Sequence, residues 1–222
     1  MNFDRLAPHY DWMEAVTAGG LLQRARTHWM GELSGCRRVL SVGEGHGRFA
    51  AAFLQSVPEA KLTCLEACAR MAARAGRRIE RIPGAAGRVE MVVADVRQWK
   101  APADAGGFDG VVTCFFLDCF EPETLARVVE RLAAGAAPEC RWLNVDFALP
   151  ARPGFWRWRA AVVHALMYWF FRQAVGLPAR RLTVPDPLLQ KAGFRLVGRA
   201  EFDRGLVRAD LWRRAGSAPS AQ

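Results

Sequence analysis

The sequence predicts an α/β sandwich, a mainly parallel sheet with helices on both of its faces. Three observations predict it. From Arg38 onward, short β-rich apolar runs alternate with stretches of helical period. The first of those runs ends in a glycine-rich turn that opens directly into a helix. The chain then closes on two β-like runs joined by Asp203-Arg204-Gly205, the mark of a hairpin, so the parallel sheet should carry one reversed strand.

Taken in order, the strands are expected at 39–42, 62–65, 89–94, 110–114 and 141–145, each apolar and bounded by glycine, proline or charge. Helical periodicity fills the intervals at 48–56, 67–81 and 121–134. Pro58, Pro83 and Pro138 each fall just past one of these helices, where proline is a stop signal. After a short helix at 187–192 come the two hairpin runs, 194–202 and 206–212. Two segments stand outside the alternation. The first 35 residues, helical around 11–30, form an amino-terminal cap, and a long helix at 155–176 sits in a lid insertion, 153–182, after the fifth strand. No repeat or linker separates them from residues 36–213, so one domain is expected, followed by a small-polar, disordered tail at 214–222.

Composition removes several classes of function. Of 222 residues, 51% are hydrophobic and 24% charged, which excludes a disordered or fibrous chain. MNFDRLAPHYDWME has no basic stretch followed by an apolar one, and no run of about 18 apolar residues occurs, so a cytoplasmic protein without a membrane span is expected. The cysteines lack CxxC pairs, which points to reduced structural thiols and no metal. The net charge of +9 would suit nucleic acid, yet the only lysines are Lys61, Lys100 and Lys191 and the arginines are spread from Arg5 to Arg214. No nucleic-acid partner is expected.

The chemistry gathers at strand ends. Gly43-Glu44-Gly45-His46-Gly47 lines the first strand-to-helix turn, where glycine permits positive φ and lets a ligand touch the backbone. A dinucleotide fingerprint, G-x-G-x-x-G, counted from Gly43 would place its small third residue at Arg48, which is too bulky. Glu66, at the end of the second strand about 20 residues on, can accept hydrogen bonds from ribose hydroxyls. Asp95, at the end of the third, can accept from an exocyclic amine, with the backbone of Val96 as a nearby donor. Singly, each acid could be a helix cap. Together with the loop they form a nucleoside constellation that a dinucleotide site does not require.

On these residues the chain, over about 36–213, resembles the class I S-adenosylmethionine-dependent methyltransferases. VLSVGEGHG resembles their motif I, Glu66 the acid of motif II, ADV at 94–96 motif III and FDGVVTCFFLDCF at 108–120 motif IV. The resemblance implies a Rossmann-like seven-stranded sheet of order 3-2-1-4-5-7-6 with strand 7 antiparallel, and S-adenosyl-L-methionine as cofactor. It implies a cofactor site of Gly43, Glu44, Gly45, Gly47, Glu66, Ala67, Asp95, Val96 and Phe115. FDRLAPHYDWME is similar to the region before motif I in ubiquinone/menaquinone-type C-methyltransferases, which adds Tyr10 to that site, with His9 beside it. Ser41 departs from the acid that many members carry there, and Glu44 is the expected substitute.

Methyl transfer to such an acceptor is mainly positioning, the acceptor atom lying about 3–3.5 Å from the methyl carbon. A small, hydrophobic or aromatic acceptor is expected at the carboxyl ends of strands 4 and 5. Phe116, Cys119 and Asp146 lie there, and Asp118 is the candidate base or substrate clamp. On the 155–176 helix, Arg157, His164, Tyr168 and Arg172 form one stripe and Trp156, Val163, Met167 and Phe170 an apolar one. His164, Met167 and Phe170 are expected to line the acceptor pocket. Core packing and a peripheral membrane contact are the other roles open to this helix. The alternatives in function are an NAD(P)-dependent oxidoreductase, disfavoured by Arg48 and the lack of a Tyr-x-x-x-Lys pair, a non-catalytic nucleoside-binding regulator, and an RNA methyltransferase.

Overall fold

The structure is a computed structural model that describes residues 20–102 and 106–214. Its strands are β1 (Arg38–Val42), β2 (Lys61–Glu66), β3 (Val89–Val93), β4 (Phe108–Cys114), β5 (Ala136–Phe147), β6 (Phe194–Phe202) and β7 (Val207–Arg214). The helices are α1 (Gly20–Thr27), α2 (Arg48–Ser56), α3 (Ala69–Ile79), α4 (Pro122–Ala134), α5 (Phe155–Val175) and α6 (Asp186–Lys191). All seven strands join one sheet of order β3-β2-β1-β4-β5-β7-β6. Pairings are parallel except those of β7, which runs antiparallel to both β5 and β6. The hairpin expected from Asp203-Arg204-Gly205 is what reverses it: all three residues take positive φ, which turns the chain in one tight 3-10 step.

Alternation along each strand divides the core into two layers. Leu40, Val42, Val111, Trp142 and Trp212 face α4 and α6, whereas Val39, Leu62, Val112, Leu143 and Leu211 face α2 and α3. Neighbours in sequence thus serve opposite layers. Strand order reverses between β2-β1 and β4-β5, and in open α/β sheets that switch point is where ligands bind.

Several boundaries differ from expectation. Pro138 is not the stop of α4, which ends at Ala134; it lies inside β5, which begins at Ala136. The register explains this, because Phe108 pairs with Ala136 and Gly110 with Arg141, leaving a bulge in which a proline without an N–H is tolerated. α3 starts two residues later than its periodicity, since Cys68 caps it by accepting from the Met71 N–H at 3.4 Å. α1 ends at Thr27 rather than near 30, and a 3-10 turn, Met30–Leu33, follows. The indole of Trp29 donates to the Ala209 carbonyl at 3.0 Å, which fastens this segment to β7.

The largest difference concerns α5. It buries Ala160, His164, Tyr168 and Val175, the stripe that carries its polar side chains. Tyr168 is settled there by donating its hydroxyl to the Asp118 carbonyl at 3.0 Å, and the His164 ring packs 5.8 Å from that of Phe147. Phe170, expected in a pocket wall, is instead 37% exposed on the far side.

Candidate functional site

A cavity of about 310 Å³ opens at the carboxyl ends of β1 to β4, at the switch point of the sheet. Its floor is the glycine loop. Gly43 and Gly45 hold φ of 67° and 63°, and a Cβ on Gly45 would meet nothing nearer than the Gly43 carbonyl at 4.0 Å, so that side of the loop is an open cradle. Gly47 has another task. Although it belongs to the loop it does not line the cavity, and its Cα sits where a Cβ would come within 2.8 Å of Ala75 Cα, so α2 can approach α3 only because residue 47 is glycine.

Glu66 is fixed at the end of β2 by two backbone donors. Gly45 N–H reaches Oε2 and Cys68 N–H reaches Oε1, each at 2.9 Å. Burial pushes its carboxyl above the ordinary range, against these N–H groups, which favour the charged form. Each oxygen keeps a lone pair, so the carboxylate can still accept two ligand hydroxyls. Ala67 lies beside it on the cavity wall.

Asp95 also lines the cavity, but its carboxylate is already engaged. Arg97 binds it through Nε at 2.9 Å and Nη2 at 2.5 Å, and donates its own N–H to Oδ1 at 2.9 Å. The hydrogen bonds from Arg97 hold the Asp95 carboxyl below its usual value. A ligand amine therefore shares this acid with Arg97, a residue that sequence reasoning did not single out. Val96 lines the wall and packs into the core, 4% exposed.

Glu44 occupies the place left by Ser41. The Ser41 hydroxyl donates to Glu44 Oε2, and the Ala50 N–H donates to Oε1 at 2.9 Å, so the loop's own acid folds back to the end of β1. Burial raises it to about 6, opposed by Ser41, Ala50 and the charge of Arg26, and aided by the charge of Glu66. Arg26, missed from the sequence, comes from α1. It is 7% exposed, lines the cavity and lies 4.9 Å over the Phe115 ring.

The sign of the resulting pH effect is fixed. Free Glu44 binds its proton more tightly than the ordinary 4.5, so its contribution to stability is present at low pH and fades as pH rises through about 4.5 to 6. If its ionised form holds a ligand ammonium, affinity for S-adenosylhomocysteine falls as pH drops below about 6. Calorimetry from pH 5 to 8 (a range spanning roughly that transition) should show this slope in the native protein and its loss in Glu44→Gln. The same slope in both would remove Glu44 from the cofactor site.

The β4 side of the cavity is Cys114, Phe115, Phe116, Cys119 and Phe120. Phe115 holds φ 53°, a conformation that costs a non-glycine residue about 1–2 kcal/mol. Two contacts hold it there: its N–H donates to Val145 O at 2.6 Å, and the next N–H, of Phe116, donates to Asp146 Oδ1 at 3.0 Å. Asp146 thus braces the turn from behind, and neither it nor Asp118 reaches the cavity. Asp118, in the 3-10 turn Leu117–Cys119, is raised by burial to about 6, and burial with repulsion from Asp118 pushes Asp146 up strongly. Burial likewise keeps the Cys114 and Cys119 thiols protonated.

The cavity therefore gathers Gly43, Glu44, Gly45, Glu66, Ala67, Asp95, Val96, Phe115, Phe116 and Cys119. It leaves out Gly47, Asp118 and Asp146, and also His164, Met167 and Phe170, because α5 turns His164 toward Phe147 and Phe170 toward solvent. Met167 packs beside the buried cluster of Tyr168 and Val175. Tyr10 and His9, with FDRLAPHYDWME, lie outside the described residues.

A family model described as a methyltransferase domain matches residues 39–139, which span the loop, Glu66, Asp95 and β4. Residues 39–139 thus match a methyltransferase domain, within a sheet whose order is that of the class I methyltransferase fold. The open loop with its bracing acids fits a nucleoside carrying an amino-acid end.

Solved structures agree in fold. The mitomycin 7-O-methyltransferase MmcR is 22% identical with a TM-score of 0.71, over 97% of this chain and 61% of that one. CalO1, a methyltransferase in calicheamicin biosynthesis solved in SAH-bound form, is 22% identical with a TM-score of 0.65, over 92% and 56%. An O-methyltransferase family 2 protein from Planctomyces limnophilus, in complex with apigenin, is 16% identical with a TM-score of 0.69, over 96% and 62%. The chain thus spans about three fifths of the length of these structures. No curated protein matches it.

Proposed function

We propose that this methyltransferase transfers the methyl group of S-adenosylmethionine to a small, hydrophobic or aromatic acceptor. The observation that carries the reading is the division of one cavity into a charged half and an aromatic half. Glu66 and the Gly43–Gly45 turn would hold the nucleoside, and Asp95 its amine. Arg26 and Glu44, opposite charges at the end of β1, match the carboxylate and ammonium of a methionine end. The bound cofactor supplies an electrophilic methyl on a sulfonium.

The chain's own part is positioning. Cys114, Phe115, Phe116, Cys119 and Phe120 exclude water from the β4 side and offer flat apolar contact, which favours a planar acceptor. None of these five is a base at neutral pH. An acceptor that is already a nucleophile, or an acidic phenol, suits such a wall better than a carbon acid. Asp118, the base expected from the sequence, acts here as a positioning residue: its carbonyl anchors Tyr168 and its carboxylate faces the Cys119 thiol at 3.5 Å. The neighbours that act on mitomycin or were solved with apigenin are consistent with such an acceptor.

Incubating the protein with tritium-methyl S-adenosylmethionine and a cell extract tests the reading. Label extractable into organic solvent is the expected result. Label confined to RNA, protein or water-soluble products would overturn the acceptor class. Tight S-adenosylhomocysteine binding with no transfer to any fraction would favour the non-catalytic regulator.

A further inference from the structure

The face of α5 opposite its buried stripe is apolar and open to solvent. Phe155, Trp158, Val162, Leu166 and Trp169 recur at intervals of three and four residues and so form one line along the helix. Phe155, Trp158, Leu166 and Trp169 are 63–64% exposed. The helix thus buries a histidine and a tyrosine while presenting tryptophan, phenylalanine and leucine outward. That is the reverse of what water selects for, and an exposed apolar patch of this kind marks an interaction surface.

Charge identifies what meets it. Arginines are spread along the chain, but acids are not: none occurs between Asp146 and Asp186, an interval that contains Arg152, Arg157, Arg159, Arg172, Arg180 and Arg181. Arg152 lies just before the helix and Arg180 and Arg181 just after it, all three exposed. Arg159 leans on Asp203 and Arg204 stacks 4.2 Å over Trp156, so the rim stays cationic next to the aromatic line. A second copy related by a two-fold axis would lay this face against itself with arginines opposed, and Asp203, an acid that reaches this helix, is already paired with Arg159. No described helix is long and apolar enough to cross a membrane. An amphipathic helix of 21 residues, about 31 Å long at roughly 1.5 Å per residue, with aromatic side chains on one line and arginines at its ends, instead suits the plane of an interface.

We infer that α5 docks the protein flat onto an anionic lipid bilayer, with Phe155, Trp158, Leu166 and Trp169 entering the acyl boundary and Arg152, Arg180 and Arg181 at the headgroups. Tryptophan and leucine supply the apolar term, and the arginines the attraction to negative lipid. The inference does not depend on the methyl acceptor, since the docking face points away from the side of α5 that touches Asp118 and Phe147.

Co-sedimentation of the full chain with vesicles tests it, using phosphatidylcholine alone and phosphatidylcholine with about a third phosphatidylglycerol. Partitioning should be at least about tenfold stronger on the anionic vesicles and should weaken in high salt. The Trp158→Ser/Trp169→Ser variant should lose about tenfold or more of that binding, and Arg180→Gln/Arg181→Gln should lose the anionic preference. Both should keep the native melting temperature and S-adenosylhomocysteine affinity. No binding to anionic vesicles, or equal binding by the tryptophan variant, would overturn the inference. So would a lipid-free dimer, seen by sedimentation velocity, that the tryptophan variant dissolves.

Discussion

Replacing Glu66 with alanine is expected to weaken S-adenosylhomocysteine binding by roughly 10- to 150-fold, the equivalent of about 1.5–3 kcal/mol for hydrogen bonds to a charged acceptor. Two effects combine. The variant loses the acceptor offered to the ligand, and it releases the Gly45 and Cys68 N–H groups that Glu66 holds at 2.9 Å, so the loop is no longer set in its bound shape. Glu66→Gln should be nearly as damaging. Both oxygens of Glu66 accept from the backbone, and an amide NH2 in place of either would face a second donor. Stability should change little, because burial already makes the charged form of Glu66 unfavourable and the freed N–H groups border an open cavity. Calorimetric affinities within about twofold of native in both variants, a difference below roughly 0.5 kcal/mol, would take Glu66 out of the cofactor site.

What could be seen in the sequence was what neighbouring residues decide among themselves. The alternation of runs, the glycine turn and the closing hairpin are local signals, and together they suffice for a sheet with β7 reversed. Gly43, Gly45, Glu66 and Asp95 stand at strand ends, and a parallel sheet brings strand ends together at one edge, so these residues meet in the cavity. The unseen features depend on contacts made across the fold. Arg26 reaches the site only because α1 packs beside α2, and nothing around it in the chain announces a ligand. The strain at Phe115 exists because Val145 and Asp146 hold the turn from a different strand. In α5 the periodicity was plain, but which stripe would be buried was not: an apolar stripe wins on hydrophobicity alone, and here a hydrogen bond from Tyr168 to Asp118 and the packing of His164 on Phe147 accompany the other choice. Gly47 belongs to the same class. It was grouped with the ligand-binding glycines by its place in the loop, whereas the residue it must avoid, Ala75, is contributed by α3.

That distinction predicts opposite behaviour for two glycines two residues apart. Gly47→Ala puts a methyl 2.8 Å from Ala75 Cα and 3.0 Å from Ala75 Cβ, at φ 83°. Neither neighbour is a flexible chain end, so α2 and α3 must separate. The left-handed conformation costs about 1–2 kcal/mol and the overpacking about 1–3 kcal/mol, for a total of about 2–5 kcal/mol. In a chain of this size, that corresponds to a fall in Tm of roughly 5–15 °C. Gly45→Ala meets only the Gly43 carbonyl, at an unstrained 4.0 Å, and bears the conformational cost at φ 63°, so its Tm should fall by roughly 2–6 °C. Binding should reverse the ranking. The new methyl on residue 45 stands in the open side of the loop, next to the N–H that Glu66 braces, and should impair S-adenosylhomocysteine binding more than Gly47→Ala does in the folded protein. Thermal denaturation and calorimetry on the two variants separate the roles. If Gly47→Ala melts within about 2 °C of native, or Gly45→Ala binds as tightly as native, the assignment of one glycine to helix packing and the other to the ligand is wrong.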